Sequence, residues 1–439
     1  MLKLLILAYD FPPYVSVGGL RPYSWFKYLH EFGVYPVVIT RQWSNRHGSP
    51  LDYVSPGESD KTLMEETPTG TLVRSPYRPT WANRLILRYG EHRFRFLRKA
   101  ISAYYELIQW ILPIGPKYEL YRAADSYLKT HRVDCIIATG DPFILFRYAA
   151  KLSEKYSVPW IADYRDPWVE DKNLSPMKPF YALMEKRYVS KAVGITTVTD
   201  FFIHAIRKNF PQKSVELIYN GYDPENFDFH RNESRNPMLT LSFAGTLNPW
   251  HPLELFLQEV NRFCSHEKIP VRLQFFGVNQ PERVVAFQSQ AVNHLHIEIY
   301  PKMPNSELIK VLSGSDGLIL FNDYYYIGTK IFDYLALQKR ILFCFSDDKE
   351  ALGLKERFYH LSQLDGYDQI PQIELIRQTE SGVVVRDREH LYETLKEWGR
   401  EFSATGQLTC RSSGYEFYSR KNQTKRLAEV IHQHISPKL

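Results

Sequence analysis

The sequence of 439 residues is poor in cysteine. Cys135, Cys264, Cys344 and Cys410 are widely separated and form no CxxC pair. That spacing signals neither a disulfide framework nor a clustered thiolate metal site, and it fits a reducing, cytoplasmic setting. No stretch approaches the ~20 consecutive apolar residues of a membrane span. The opening run "MLKLLILAYDFPP" passes into proline and glycine without a small-residue cleavage site, and is expected to be a first buried strand. There is no internal repeat and no low-complexity tract, and no pair of carboxylates at glycosidase spacing stands out.

The remaining composition is that of a globular protein, 44% hydrophobic and 24% charged. The length exceeds what one core organises, so two domains are expected. Aromatic residues are abundant at 15%, with 30 Tyr and 26 Phe, which leaves some for binding surfaces. The net charge of +6 is unevenly spread. Arg74, Arg78, Arg84, Arg88, Arg93, Arg95, Arg98 and Lys99 face only one acid, Glu91, within a single short segment.

Short apolar strands alternate with helical patterns. Leu4 to Ala8, Pro36 to Thr40, Cys135 to Ala138 and Trp160 to Ala162 read as strands, with Leu20 to Phe32 as a helix. The pattern restarts with strands at Leu239 to Ala244, Val271 to Phe276 and Gly317 to Phe321 and a helix at Pro252 to Phe263. A polar stretch, Leu217 to Pro237, reads as the linker. The expected fold class is α/β with two Rossmann-like domains, 1–215 and 216–404, and a C-terminal helical segment, 405–439, that packs across the body of the protein. In open parallel sheets, ligands bind beyond the carboxyl ends of the strands. Each polar motif falls on such a loop.

In "IGTKIFDYLALQKRIL" a helix is expected to begin near Thr329, presenting free amides beside Gly328. Lys330 adds a positive charge, and Asp333 on the same face suits vicinal hydroxyls, so a diphosphate attached to a ribose matches the set. A solvated Lys–Asp pair on a helix is the alternative. "DFPPYVSVGG" places Gly18 and Gly19 at a helix entrance, where glycine tolerates unusual backbone angles; a plain turn explains it equally, and it is not a GxGxxG fingerprint. "TGDPF" and "PWIADYRDPW" bring Asp141, Asp163, Arg165 and Asp166 towards one site, where a carboxylate can orient or deprotonate a hydroxyl; Arg165 paired with an aspartate is the simpler reading. "SFAGTLNPW" offers Gly245 and Thr246 amides to a phosphate, or a tight turn. Within 74–112, Phe94, Leu97, Ile101, Tyr105 and Ile108 recur at helical spacing with Arg84, Arg88, Arg95, Arg98 and Lys99 nearby. That pattern, with Trp81 and Trp110, suits an anionic membrane surface; a surface helix packed on the core or an RNA-binding patch remains open, with nucleic acid the least favoured.

With these motifs in place, the chain resembles the family 4 retaining glycosyltransferases, which have the GT-B fold of two facing Rossmann-like domains with a C-terminal helix crossing back to the N-terminal domain. The resemblance spans "AYDFPPYVSVGGLRPYSWFKYLHEFGVYPVVIT", "DCIIATGDPF", "VPWIADYRDPW", "IYNGYDPENF", "LSFAGTL" and "GTKIFDYLALQKRIL". It implies transfer of a sugar, with retention and without a metal or other cofactor, from a nucleotide-diphosphate donor held by the C-terminal domain to a glycan or lipid-linked acceptor. The setting implied is bacterial surface-polysaccharide assembly on the inner face of the membrane. Lys330 with the amides near Gly328, Thr329, Gly245 and Thr246 would hold the diphosphate, Asp333 the ribose, and Gly18 and Gly19 would close over the donor.

The sequence departs from the family pattern in three places. Members often carry two glutamates eight residues apart, where this chain has Tyr325 and Asp333. Many carry an Arg and a Lys after the glycine that opens the second domain, where "GTLNPWHPLE" offers only His251. A histidine frequent in the N-terminal domain is replaced, leaving Asp141 or Asp166 as candidates at the acceptor hydroxyl, beside Asp163 and Arg165. A nucleotide-sugar epimerase or phosphorylase of the same fold, and a non-catalytic nucleotide-sugar-binding subunit, are the competing expectations.

Overall fold

A computed structural model describes residues 1–14, 16–43, 50–170, 177–228 and 236–435. The chain divides into two compact units: Met1–Tyr219 together with the segment from Arg420 onward, and Asn220–Ser419. Part of the expected linker, 229–235, lies outside the described residues.

The first unit is built on β1 (Leu2–Leu7), β2 (Val34–Arg41), β3 (Leu63–Glu66), β4 (Thr71–Ser75), β5 (Cys135–Gly140), β6 (Trp160–Tyr164), β7 (Gly194–Thr197) and β8 (Val215–Leu217), in the order β3-β4-β2-β1-β5-β6-β7-β8. All neighbours are parallel except β3 with β4. Central strands such as β1 and β5 are apolar on both faces because helices cover both. Leu4, Ile6, Ile137 and Ile161 form the core, with Leu427 and Ile431 of the Arg420–Ile435 helix packed into it. The C-terminal segment 405–439, expected to be helical, is interrupted at Ser419 in an extended conformation: Tyr415–Tyr418 is a 3-10 turn of the second unit, and the helix starts at Arg420.

The second unit contains β9 (Leu239–Ala244), β10 (Val271–Phe276), β11 (Leu295–Tyr300), β12 (Gly317–Phe321), β13 (Arg340–Cys344) and β14 (Gly382–Val385), all parallel, in the order β11-β10-β9-β12-β13-β14. Leu241, Phe243, Leu273, Phe275 and Trp398 centre its core. Strand order reverses between β1 and β5 in the first unit and between β9 and β12 in the second. Loops diverge at such a point and leave a crevice beyond the carboxyl ends of the strands, so topology singles out the loops after β1, β5, β9 and β12.

The first helix begins earlier than its apolar spacing suggests, at Val17, because Ser16 Oγ accepts from Gly19 N at 3.0 Å and caps it. Gly18 and Gly19 therefore lie inside the first turn, and neither has a positive φ. Space, not backbone angle, favours them: a methyl at Gly18 would displace the Arg165 guanidinium, and one at Gly19 would come within 3.3 Å of Phe11 N.

Candidate functional site

In the second unit the β9 and β12 loops meet over a helix N-terminus. The helix runs Lys330–Leu337, and every side chain after Lys330 is buried, which fixes its orientation. Thr329 precedes it in helical conformation, and its side chain makes no capping bond. Among the described residues, the amides of Gly328, Thr329 and Lys330 donate to no protein acceptor. An uncapped first turn with its positive dipole end is an anion site in waiting. Tyr334 ties this helix to β9 by accepting from Ala244 N at 3.0 Å.

The next residue, Gly245, has φ +132, and a Cβ there would lie 3.8 Å from Lys330 Cγ, so the lysine stem crosses the β9 turn. Lys330 Nζ donates to Asn305 Oδ1 at 2.7 Å and reaches Asp333 Oδ2 at 3.4 Å. Lys330, Asp333 and Gly245 thus converge as the sequence suggested. Asp333 is almost fully buried, with one oxygen turned to the lysine, while Thr246 and Gly328 are exposed. Asn305 was not legible as a partner because it comes from a different helix, Asn305–Leu312.

Tyr325, at the position of the missing glutamate, points into the protein. Its amide donates to Tyr359 Oη, its ring packs edge-on against Tyr359 and Tyr367, and the Lys355 ammonium lies 5.0 Å from its centroid. The carboxylate of this loop is Asp323, two residues earlier. His251 Nδ1 accepts from Asn248 N at 3.2 Å, so the neutral ring carries its proton on Nε2, which donates to Asp323 Oδ1 at 2.9 Å. Asp323 Oδ2 would lie 3.6 Å from a Cβ at Gly328, beside the helix entrance. His251, the one residue of "GTLNPWHPLE" able to carry positive charge, is therefore buried and clamps the β9 loop to the β12 loop.

In the first unit Arg165 gathers three loops. Its backbone amide and Nε both donate to Gly140 O, at 3.0 and 3.2 Å, Nη2 donates to Asp141 O, and its guanidinium fills the space left by Gly18. The expected Arg–Asp pair is replaced by bonds to carbonyls. Asp10, at the end of β1, accepts from Ser16 Oγ at 2.8 Å; burial raises its carboxyl above the usual range against the pull of Ser16 and Arg165. Asp166 is exposed, yet desolvation by its surroundings raises its carboxyl too, with Arg165 opposing and Asp141 and Asp163 adding to the rise. Asp141 is exposed. A cation whose field reaches Asp10 and Asp166, beside Asp141, suits a site that receives a hydroxyl.

Asp163 does something else. It is 0% exposed and forms a buried ion pair with Arg21, whose Nη2 lies 2.7 Å from Oδ1; Thr196 Oγ1 donates to the same oxygen at 2.7 Å. Arg21 Nη1 also donates to Ile218 O at 2.7 Å. With both oxygens occupied, Asp163 holds the first helix, β6, β7 and the exit of the chain together, and it has no oxygen free for an acceptor.

Behind this loop, Tyr164 Oη donates to Glu185 Oε1 at 2.9 Å, and burial, aided by nearby Glu170, pushes the Glu185 carboxyl from 4.5 up to about 8. Folded protein then holds a proton that unfolded chain has released, so this contribution to stability is full below pH 4.5 and is lost as pH rises towards 8. Glu185→Gln is expected to match the parent near pH 5 and to unfold at higher denaturant than the parent at pH 8. Equal midpoints at both pH values would contradict this.

The basic segment forms two helices, Trp81–Tyr89 and Arg95–Ile108. Arg84, Arg88, Arg95 and Lys99 are exposed. Arg98 is instead turned back on the connection, donating to Gly90 O and Glu91 O. Trp110, grouped above with the membrane-facing aromatics, is buried and stacks on Trp168 with centroids 5.4 Å apart, because the chain re-enters the core there.

The fold is GT-B: two parallel-rich α/β sheets with helices. It matches the structure of the trehalose-6-phosphate synthase OtsA with a TM-score of 0.60 at 11% identity, covering 100% of this chain and 99% of that one. Sucrose-phosphate synthase from Thermosynechococcus elongatus matches with a TM-score of 0.57 at 10% identity over 99% and 96% of the two chains. The catalytic domain of starch synthase IV from Arabidopsis thaliana, bound to ADP and acarbose, matches with a TM-score of 0.56 at 11% identity over 99% of both. The family profile described as Glycosyltransferase Family 4 matches residues 101–226, the stretch holding β5 to β8, so the chain is similar to that family there. No curated protein matches it.

Proposed function

We propose that this chain is a retaining glycosyltransferase of hexosyltransferase type, which moves a sugar from a nucleotide-diphosphate donor to a glycan or lipid-linked acceptor in surface-polysaccharide biosynthesis on the cytoplasmic side of the membrane. The observation that carries this is the uncapped first turn at Lys330, located at the β9/β12 switch point with Lys330 lying across Gly245. That turn offers free amides and one ammonium to a diphosphate. Similarity to the family 4 profile and to GT-B enzymes, one of them bound to ADP, supports the donor class.

On this reading Lys330 and the Gly328–Lys330 amides stabilise the charge that develops on the departing diphosphate. The sugar–diphosphate bond breaks while the acceptor oxygen bonds to the same face of the anomeric carbon, and a diphosphate oxygen takes the acceptor proton. Asp333 meets the ribose, Gly245 and Thr246 border the diphosphate, and Asp323 takes the place of the absent glutamate towards the donor sugar. Asp141, whose carbonyl accepts from Arg165, and Asp166 meet the acceptor hydroxyl. No step calls for a metal ion, so chelator is expected to leave the rate unchanged.

The test is product analysis with a panel of nucleotide sugars and acceptors, reading nucleoside diphosphate release and the anomeric configuration of the product by NMR. Retention of configuration is the expected result. Inversion, or epimerised donor without transfer, would overturn the reading; donor binding without turnover across the panel would favour a non-catalytic subunit.

A further inference from the structure

We infer that the helix pair Trp81–Tyr89 and Arg95–Ile108 docks on an anionic lipid bilayer and, on the transferase reading above, sets the acceptor site against that surface. A helix survives in a globular protein by burying one face. The Arg95–Ile108 helix buries no side chain, and the Trp81–Tyr89 helix buries only Ala82. Ile101, Tyr105 and Ile108 are half-buried, but other apolar side chains of the pair and its flanks face solvent: Phe96 is 87% exposed and Trp81 66%, with Phe94, Leu97, Tyr104 and Ile111 also exposed. So many large apolar side chains exposed within one short segment mark an interaction surface.

Charge selects the partner. Arg84, Arg88, Arg93, Arg95 and Lys99 are all exposed, and among the described residues none has an acidic partner. Arg84 and Arg88 lie over the rings of Trp81 and Tyr89, with centroid distances of 5.3 Å each. Exposed aromatic rings beside cations that have no acidic partner among the described residues match the headgroup layer of an anionic bilayer. A nucleic acid would use the cations but leave the Phe96, Leu97 and Ile111 side chains in water.

The pair is anchored to the loops of the candidate acceptor site at both ends. Asn83 Nδ2 donates to Tyr77 Oη, and Tyr77 lies under the Arg41 guanidinium at 3.6 Å, at the carboxyl end of β2. At the other end Trp110 stacks on Trp168, which stacks on Phe143 at 4.7 Å, beside Asp166 and Asp141. Arg147 donates to Gln109 O and Ile111 O, both at 3.0 Å. Because β4 runs parallel to β2, the helix pair departs from the same end of the sheet as those loops. An acceptor carried by lipid would therefore emerge beside Asp141 and Asp166.

The test is flotation of the full chain with vesicles of phosphatidylcholine alone or with 30% phosphatidylglycerol, at low and high salt, in parallel with Arg84→Glu/Arg88→Glu/Arg95→Glu/Lys99→Glu and with Phe96→Ser/Leu97→Ser. Each cation near the surface contributes about fivefold to partitioning. The charge-reversed chain is expected to lose at least tenfold in vesicle binding, the serine variant to lose binding at both salts, and brominated lipid to quench a signal that Trp81→Phe removes. These positions are on the surface, and circular dichroism and nucleotide-induced thermal shifts check that each variant is folded. No binding to anionic vesicles at low salt overturns the inference, as does RNA binding or dimerisation through this face in its place. Vesicle binding without any nucleotide response would uphold the docking and sink the transferase reading; the reverse would spare that reading.

Discussion

Asp163→Asn is expected to destabilise the first unit by about 3–5 kcal/mol, the range for breaking a buried ion pair by removing one charge. The neutral amide leaves Arg21 charged, buried and facing an uncharged partner, and Thr196 Oγ1 loses an anionic acceptor. Arg21 also binds the carbonyls of Ile218 and Tyr219, so the damage extends to the end of β8, where the chain leaves the unit. Urea titration followed by tryptophan fluorescence reads the effect, since Trp25 lies 5.1 Å from the Arg21 guanidinium. Removing both charges with Arg21→Met/Asp163→Leu should recover a large part of the loss, because well-packed apolar groups can replace a buried pair at little cost. An Asp163→Asn protein as stable as the parent, but inactive, would instead return Asp163 to the acceptor site.

Lys330→Ala is expected to lower turnover about 10²–10³-fold, the scale for removing one group that stabilises developing negative charge. The fold should tolerate the change, because Lys330 is partly exposed and, among the described residues, its Nζ meets only Asn305 and Asp333. A stability loss of about 1 kcal/mol is expected from Asp333 losing its partner. Steady-state kinetics with the accepted donor reads the result, with thermal unfolding as the control. Unchanged kcat and KM in a folded variant would remove Lys330 from the site.

The parallel strands and the loops that follow them were legible because buried strands read as short apolar runs and parallel connections need helices between them. Strand order was not legible, and it is what selects the loops after β1, β5, β9 and β12. Partners distant in sequence were also hidden. Asp163 lies 142 residues from Arg21, and nothing local to "IADYRDPW" reveals that its first aspartate faces inward while Asp166 faces out. His251 and Asp323, 72 residues apart, look unremarkable singly. A signal for Asp323 did exist: it is the first carboxylate after an apolar strand in a stretch where Tyr325 stands in place of the expected acid. For Gly18 and Gly19 the residue type was informative but the reason was not, since glycine meets a demand for space as readily as a demand for φ. Trp110 shows the limit of helical spacing, which marks an apolar face without showing which element covers it.

The most direct test of the central claim, a nucleotide-diphosphate site at the Lys330 helix, is thermal stabilisation by UDP, GDP, dTDP and CMP, measured on the parent chain and on Lys330→Ala. A ligand at a hundred times its dissociation constant adds ~2.7 kcal/mol of stability, a readily measured shift. The account predicts that one nucleoside diphosphate stabilises the parent selectively and that the shift disappears in the variant. Stabilisation that persists undiminished in Lys330→Ala, or no response to any of the four, would contradict it.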